Sequence, residues 1–107
     1  MSLKNKTIAF LGAGNMGEAL IRGLLAAKTV MPSQIVATDV RAEQLDKLAK
    51  TLGIRVTEDN VKAVGEADIV LLAVKPQQMS AVLAPLKSVA AVHQLFISIA
   101  AGVTMRR

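Results

Sequence analysis

Gly12-Ala-Gly-Asn-Met-Gly17, entered from the apolar run Thr7-Ile-Ala-Phe-Leu11, is the stretch that decides the fold. The run is continuous, short and apolar, and reads as a buried strand that ends at Gly12. Beyond the glycines the pattern changes period. Met16, Ala19, Leu20, Gly23, Leu24 and Ala27 recur at i, i+3, i+4, i+7, i+8 and i+11, one face of an amphipathic helix, expected to pack on the core. Glu18, Arg22 and Lys28 fall on the other side. One glycine would suffice for a tight turn between strand and helix. Three at the spacing G-x-G-x-x-G each have a separate reason. Gly12 permits the turn out of the strand, Gly14 lets another group approach the backbone where a Cβ would collide, and Gly17 lets the helix lie close to the strands.

Working outward, Met31-Pro-Ser33 breaks the helix and Gln34-Ile-Val-Ala-Thr38 reads as a second strand ending at Asp39. A helix is expected from Ala42 to Leu52, with Leu45, Leu48, Ala49 and Leu52 on one face and Gly53 as its stop. Ile54-Arg-Val-Thr57 is a short third strand, and Asp59 or Asn60 can cap a short helix through Val64. Asp68-Ile-Val-Leu-Leu-Ala-Val74 is the strongest strand signal. Pro76 then stands where a first helical residue tolerates it. Met79, Val82, Leu83 and Leu86 form the next helical face, which Pro85 ends or kinks. Leu95-Phe-Ile-Ser-Ile99 is the last strand, followed by the small-residue turn Ala100-Ala-Gly-Val-Thr104. Strands alternating with helices predict an α/β fold: a Rossmann-type doubly wound parallel sheet with helices on both faces, one domain over residues 1–107. Val103-Thr-Met-Arg-Arg107 reads as the entry to a further element, so the chain is expected to be a fragment of a longer protein.

Composition agrees and narrows the function. Hydrophobic residues make up 52% of the 107, and the aromatics are Phe10 and Phe96 alone. Small aliphatic side chains suit strands buried on both faces. The net charge of +5 is spread along the chain without stacking aromatics, which argues against a nucleic-acid binder and suits an anionic small ligand. The absence of cysteine excludes disulfides and thiolate metal sites. No metal-ligand cluster is seen, and His93, the single histidine, reads as a surface residue. The N-terminal apolar run is too short for a signal peptide or a membrane span, so a cytoplasmic protein is expected.

In this strand–loop–helix context, the free N–H groups and positive dipole end of the first helix point to a dinucleotide pyrophosphate, as in NAD or NADP. Asp39 follows Gly17 by 22 residues, where an acid bonds the ribose 2′-hydroxyl of NAD. Arg41, two residues later, can instead receive the 2′-phosphate of NADP. Asp39 could equally start a turn or cap the helix from Ala42. Asn60 is either a ribose contact or a helix cap. Lys75 is a charged residue at a strand's C-terminal end, where ligands of open α/β sheets bind, or else a solvated residue before Pro76.

Three segments carry a resemblance. Phe10-Leu-Gly-Ala-Gly-Asn-Met-Gly17 with Ala19-Leu-Ile-Arg-Gly-Leu24, then Ala73-Val-Lys-Pro-Gln77, then Ser98-Ile-Ala-Ala-Gly-Val-Thr104 resemble the N-terminal NAD(P)-binding domain of pyrroline-5-carboxylate reductase. That family reduces L-1-pyrroline-5-carboxylate to L-proline with NADPH or NADH, the last step of proline biosynthesis. The resemblance implies that Ala13, Asn15 and Met16, with Gly12, Gly14 and Gly17, line the pyrophosphate and that Asn60 approaches the adenosine ribose. It implies that Ala73, Val74, Lys75 and Pro76 run along the cofactor toward the nicotinamide, with Ala100, Ala101 and Gly102 beside its ring. Family members often prefer NADPH and usually carry a small polar or basic residue after the second strand, from which Asp39 departs. The family's helical C-terminal domain forms the homo-oligomer and supplies most of the substrate site. Its catalytic residues are therefore expected outside these 107 residues, and this piece alone is expected to be inactive. Two other readings stay open: another oxidoreductase resembling the β-hydroxyacid dehydrogenases, and a non-catalytic NAD(P)-binding module.

Overall fold

The computed structural model describes residues 5–74, 76–88 and 94–98. Five strands, β1 (Ile8–Leu11), β2 (Ile35–Thr38), β3 (Arg55–Thr57), β4 (Ile69–Leu72) and β5 (Leu95–Ser98), form one sheet in the order β3-β2-β1-β4-β5. Every neighbouring pair is parallel, with Ile8 of β1 opposite Ile35 of β2 and Ile69 of β4. The helices are α1 (Asn15–Ala26), α2 (Ala42–Leu52), α3 (Asn60–Glu66) and α4 (Met79–Leu83). Short 3-10 turns cover Pro32–Gln34, Pro76–Gln78 and Ala84–Ser88.

Side-chain alternation divides the core into two layers. Ile8, Phe10, Ile35 and Ala37 pack on one face with Ile21 of α1 and Leu45 and Leu48 of α2. Ala9, Leu11, Val36 and Val70 pack on the other with Val64 of α3 and Leu86, joined by the partly buried Met79, Val82 and Leu83 of α4. This is the doubly wound arrangement that the alternation of runs and periods predicts. Among the described residues no helix is long and apolar enough to cross a membrane.

The largest departure from the sequence reading is the orientation of α1. Its buried residues are Gly17 and Ile21, with Leu24 and Leu25 partly covered. Met16 and Leu20 are 40% and 39% exposed, and Ala19, Gly23 and Ala27 are exposed as well. The cause is the contact at Gly17, where a Cβ would lie 3.2 Å from the Gly12 carbonyl oxygen. That approach turns the Gly17 side of the helix inward, and Ile21 follows one turn later.

Smaller differences lie at element ends. β4 stops at Leu72, and Ala73 and Val74 turn across the glycine loop instead of extending the strand. Asp68 stands before β4, where its carboxylate accepts the Thr7 N–H at 2.9 Å. Gln34 belongs to the 3-10 turn, and its side chain donates to the Lys6 carbonyl. Pro85 is accommodated as expected: α4 ends at Leu83 and the chain tightens into a 3-10 turn. Gly53 ends α2 at φ +72, a left-handed conformation that favours glycine.

Candidate functional site

Strand order places the site. The chain moves from β1 outward through β2 and β3, then returns to the other side of β1 for β4. The connections after β1 and β4 therefore leave toward opposite faces, and a crevice opens at the carboxyl ends between them. A cleft of about 820 Å³ occupies this position. Gly12, Gly14 and Asn15 line it from the β1 end, Thr38, Asp39 and Arg41 from the β2 end, and Ala73 and Val74 from the β4 end. Asn60 contributes from the start of α3.

The glycine loop has three distinct geometries. Gly12 has φ +84, and a Cβ there would lie 2.7 Å from Val74 Cγ1 and 3.2 Å from the Ala73 carbonyl oxygen. At Gly14, the N-cap of α1, φ is −79 and a Cβ would meet only Arg41 Nη2, at 3.7 Å. Gly12 is thus required by the fold, whereas the space beside Gly14 belongs to the cleft. No side chain caps α1. The N–H groups of Asn15, Met16 and Gly17 begin the helix and have no intrahelical acceptor. An uncapped helix start and a glycine that leaves its approach open together fit a phosphate.

The loop is tied from both sides. The Thr38 carbonyl oxygen accepts the N–H groups of Gly12 at 2.9 Å and Ala13 at 2.8 Å. From α2, Gln44 Nε2 donates to the Ala13 carbonyl oxygen at 2.8 Å and to Glu18 Oε1 at 3.2 Å. Ala13 itself is turned away from the cleft, its methyl fully buried in the core. Met16 is partly exposed beside the loop, and Gly17 is spent on helix packing.

At the β2 end, Asp39 accepts three hydrogen bonds from Arg41: backbone N at 2.9 Å, Nε at 3.1 Å and Nη2 at 3.2 Å. Burial works to raise the Asp39 pKa, but the Arg41 hydrogen bonds and charge outweigh it and hold the carboxyl below the usual carboxylate range. Asp39 does start a turn, while the N-cap of α2 is Arg41, without a side-chain bond. Asp59 is the residue that caps α3, accepting the Lys62 N–H at 3.2 Å. Asn60 is thereby free of capping, and its Oδ1 accepts the Thr38 hydroxyl at 2.5 Å.

Thr38, Val40, Glu58, Gln77, Gln78 and Ala81 line the cleft without having been singled out from the sequence. A hydroxyl at the end of the otherwise apolar strand Ile35-Val-Ala-Thr38 was a readable signal for Thr38. The others carry no local signal, since loop and helix polar residues look alike in sequence. Pro76 starts the 3-10 turn Pro76–Gln78. Lys75, His93, Ala100, Ala101 and Gly102 lie outside the described residues. Among the described residues no three His, Asp or Glu side chains gather to hold a metal ion.

Comparisons with known proteins place this geometry in a family. The chain is 48% identical over 103 residues to a pyrroline-5-carboxylate reductase of Methanosarcina acetivorans, a match covering 96% of this chain and 38% of that protein. The structure of a pyrroline-5-carboxylate reductase from Coxiella burnetii superposes with a TM-score of 0.85 at 37% identity, over 92% of this chain and 37% of that one. The Plasmodium falciparum pyrroline carboxylate reductase, solved with NADP bound, matches with a TM-score of 0.78 at 26% identity, over 94% of this chain and 36% of that one. The chain thus spans little more than a third of the length of these relatives. A family model described as NADP oxidoreductase, coenzyme F420-dependent, matches residues 7–102, and the chain belongs to that family.

Proposed function

We propose that residues 1–107 are the NAD(P)-binding domain of a pyrroline-5-carboxylate reductase. The observation that carries the cofactor reading is the uncapped start of α1 behind Gly12 and Gly14, opening on the cleft between the ends of β1 and β4. The similarity to reductases of that name along most of this chain supports the substrate class. The NADP bound to one of them supports the cofactor class.

When bound, the nicotinamide cofactor supplies the hydride that reduces the C=N bond of L-1-pyrroline-5-carboxylate to give L-proline. This chain's own residues bind and orient. The backbone N–H groups of Asn15 and Met16 would face the pyrophosphate, and Gly14 would admit it. Asn60 would meet the adenosine ribose. Arg41, charged and beside Gly14, would receive a 2′-phosphate, which favours NADP over NAD. Ala73, Val74, Lys75 and Pro76 would guide the cofactor toward its nicotinamide end, with Ala100, Ala101 and Gly102 beside the ring. Binding and orientation are the protein's share of such a reaction; the redox chemistry belongs to the cofactor.

The share of the relatives' length that this chain spans supports placing the catalytic residues, the substrate site and the homo-oligomer contacts in a helical domain outside it. A cytoplasmic location suits such a biosynthetic role. Titration of the chain with NADPH and NADH, followed by nicotinamide fluorescence, tests the cofactor reading; saturable binding is expected, with NADPH the tighter. Assay of the longer protein for pyrroline-5-carboxylate reduction tests the substrate, and reduction of a β-hydroxyacid's keto form in its place would overturn it.

A further inference from the structure

Thr38 is 2% exposed and, among the described residues, is the buried polar residue of an otherwise apolar core. Valine has the same shape and suits a parallel strand. A buried hydroxyl costs free energy unless its hydrogen bonds are made. Here they are made across three elements. Thr38 Oγ1 lies 3.4 Å from the Gly12 N–H, whose nearer acceptor is the Thr38 carbonyl oxygen at 2.9 Å. With a lone pair turned to Gly12, the hydroxyl's single proton goes to Asn60 Oδ1.

This fixes the Asn60 amide. An asparagine side chain offers one acceptor oxygen and a two-proton donor nitrogen. Oδ1 is taken by Thr38, and among the described residues no acceptor meets Nδ2. Asn60 lines the cleft, so the unused atom of a cleft-lining side chain is a donor. Without the Thr38 hydroxyl the two ends of the amide could exchange, and Asn60 could present an acceptor instead.

We infer that Thr38 is a positioning residue for the cofactor, its hydroxyl linking the phosphate loop to Asn60 and orienting the Asn60 amide as a donor toward a ribose oxygen. The inference rests on the cofactor reading above. It adds a nearly buried residue at the cleft wall that acts through its hydrogen bonds to Asn60 and the glycine loop.

The test uses Thr38→Val, which keeps shape and removes the hydroxyl, with Thr38→Ser, Asn60→Ala and the Thr38→Val/Asn60→Ala double variant. In the ligand-free chain, nitrogen-15 spectra should show the Asn60 side-chain NH₂ pair shifted in Thr38→Val and restored in Thr38→Ser. NADPH and NADH affinity should fall roughly tenfold in Thr38→Val, a typical effect for loss of one hydrogen bond, and stay near wild type in Thr38→Ser. The double variant should bind no more weakly than Asn60→Ala alone, because the two act as one unit. Additive losses would mean that Thr38 is merely structural and would overturn the inference, as would wild-type affinity in Thr38→Val. Unchanged Asn60 NH₂ resonances in Thr38→Val overturn it without reference to any ligand. Absence of NADPH and NADH binding by the wild-type chain overturns the cofactor reading itself, a different result from any of these.

Discussion

Asp39 and Arg41 form one unit at the end of β2, with both carboxylate oxygens bonded to the guanidinium and Oδ1 also to the Arg41 backbone N–H. The Asp39 side chain is 6% exposed while that of Arg41 is 53% exposed. From sequence the two look like rival signals, an acid for a ribose diol and a base for a phosphate. In the structure the acid holds the base, and the cation is the member presented outward. An arginine oriented by a carboxylate keeps free N–H groups for a second anion.

Arg41→Ala is therefore expected to weaken NADPH binding by roughly tenfold or more while changing NADH binding little. Fluorescence titration of both cofactors against wild type and variant gives the comparison. Equal losses for the two cofactors would remove Arg41 from the 2′-phosphate and leave it as a support for the loop.

Gly12 and Gly14 should respond differently to the same added methyl. Gly12→Ala forces a residue with Cβ into φ +84 and drives it onto Val74 and the Ala73 carbonyl. A loss of about 1–3 kcal/mol in urea unfolding is expected. Gly14→Ala meets no obstacle in the fold, with Arg41 Nη2 at 3.7 Å, so stability should hold while cofactor binding is lost. Gly14→Val should likewise fold and fail to bind. Retained binding by a folded Gly14→Val chain would sink the phosphate-loop assignment.

Glu18 ties α1 to α2, accepting from Arg22 at 2.9 Å, Gln44 at 3.2 Å and Lys47 at 3.2 Å. These bonds outweigh partial burial and lower its pKa. A carboxylate whose folded pKa is depressed adds stability above its unfolded pKa, and that stability is lost as pH falls through the folded value. Arg22 and Lys47 are about half exposed, so the pairs are screened and the whole effect should stay within about 1 kcal/mol. Glu18→Gln should accordingly be slightly less stable than wild type at neutral pH, the gap closing in acid below the ordinary carboxylate range. Chemical unfolding across that pH series checks it; a gap that widens in acid would reverse the assignment.

Asp59→Ala removes the cap of α3 and should cost about 1 kcal/mol, measured by thermal or urea unfolding. Because Asn60 is the next residue, hydrogen exchange at the start of α3 should quicken in the same variant. A loss of stability without faster exchange there would place the role of Asp59 elsewhere.

Much of this protein could be read from its residues alone. The apolar runs at Ile8–Leu11, Ile35–Thr38 and Ile69–Leu72 announce strands buried on both faces, because only such strands need no polar side. Gly53 announces the end of α2, and the spaced glycines announce the loop between β1 and α1, because both depend on local backbone sterics. Other features belong to tertiary structure. The order β3-β2-β1-β4-β5 puts the ends of β1 and β4 side by side and so makes the crevice. The buried face of α1 does not follow from period alone, since Met16, Ala19, Leu20 and Gly23 are as regular as Gly17 and Ile21. What selected between them was the way the loop folds back at Gly17, where a Cβ would lie 3.2 Å from the Gly12 carbonyl oxygen. Thr38 and Asn60 are 22 residues apart and meet at 2.5 Å, and Asp39 and Arg41 are paired rather than opposed. Local sequence determines which backbone conformations are allowed; which side chains meet depends on how the elements are stacked, and the partner of a buried hydroxyl or a carboxylate is decided there.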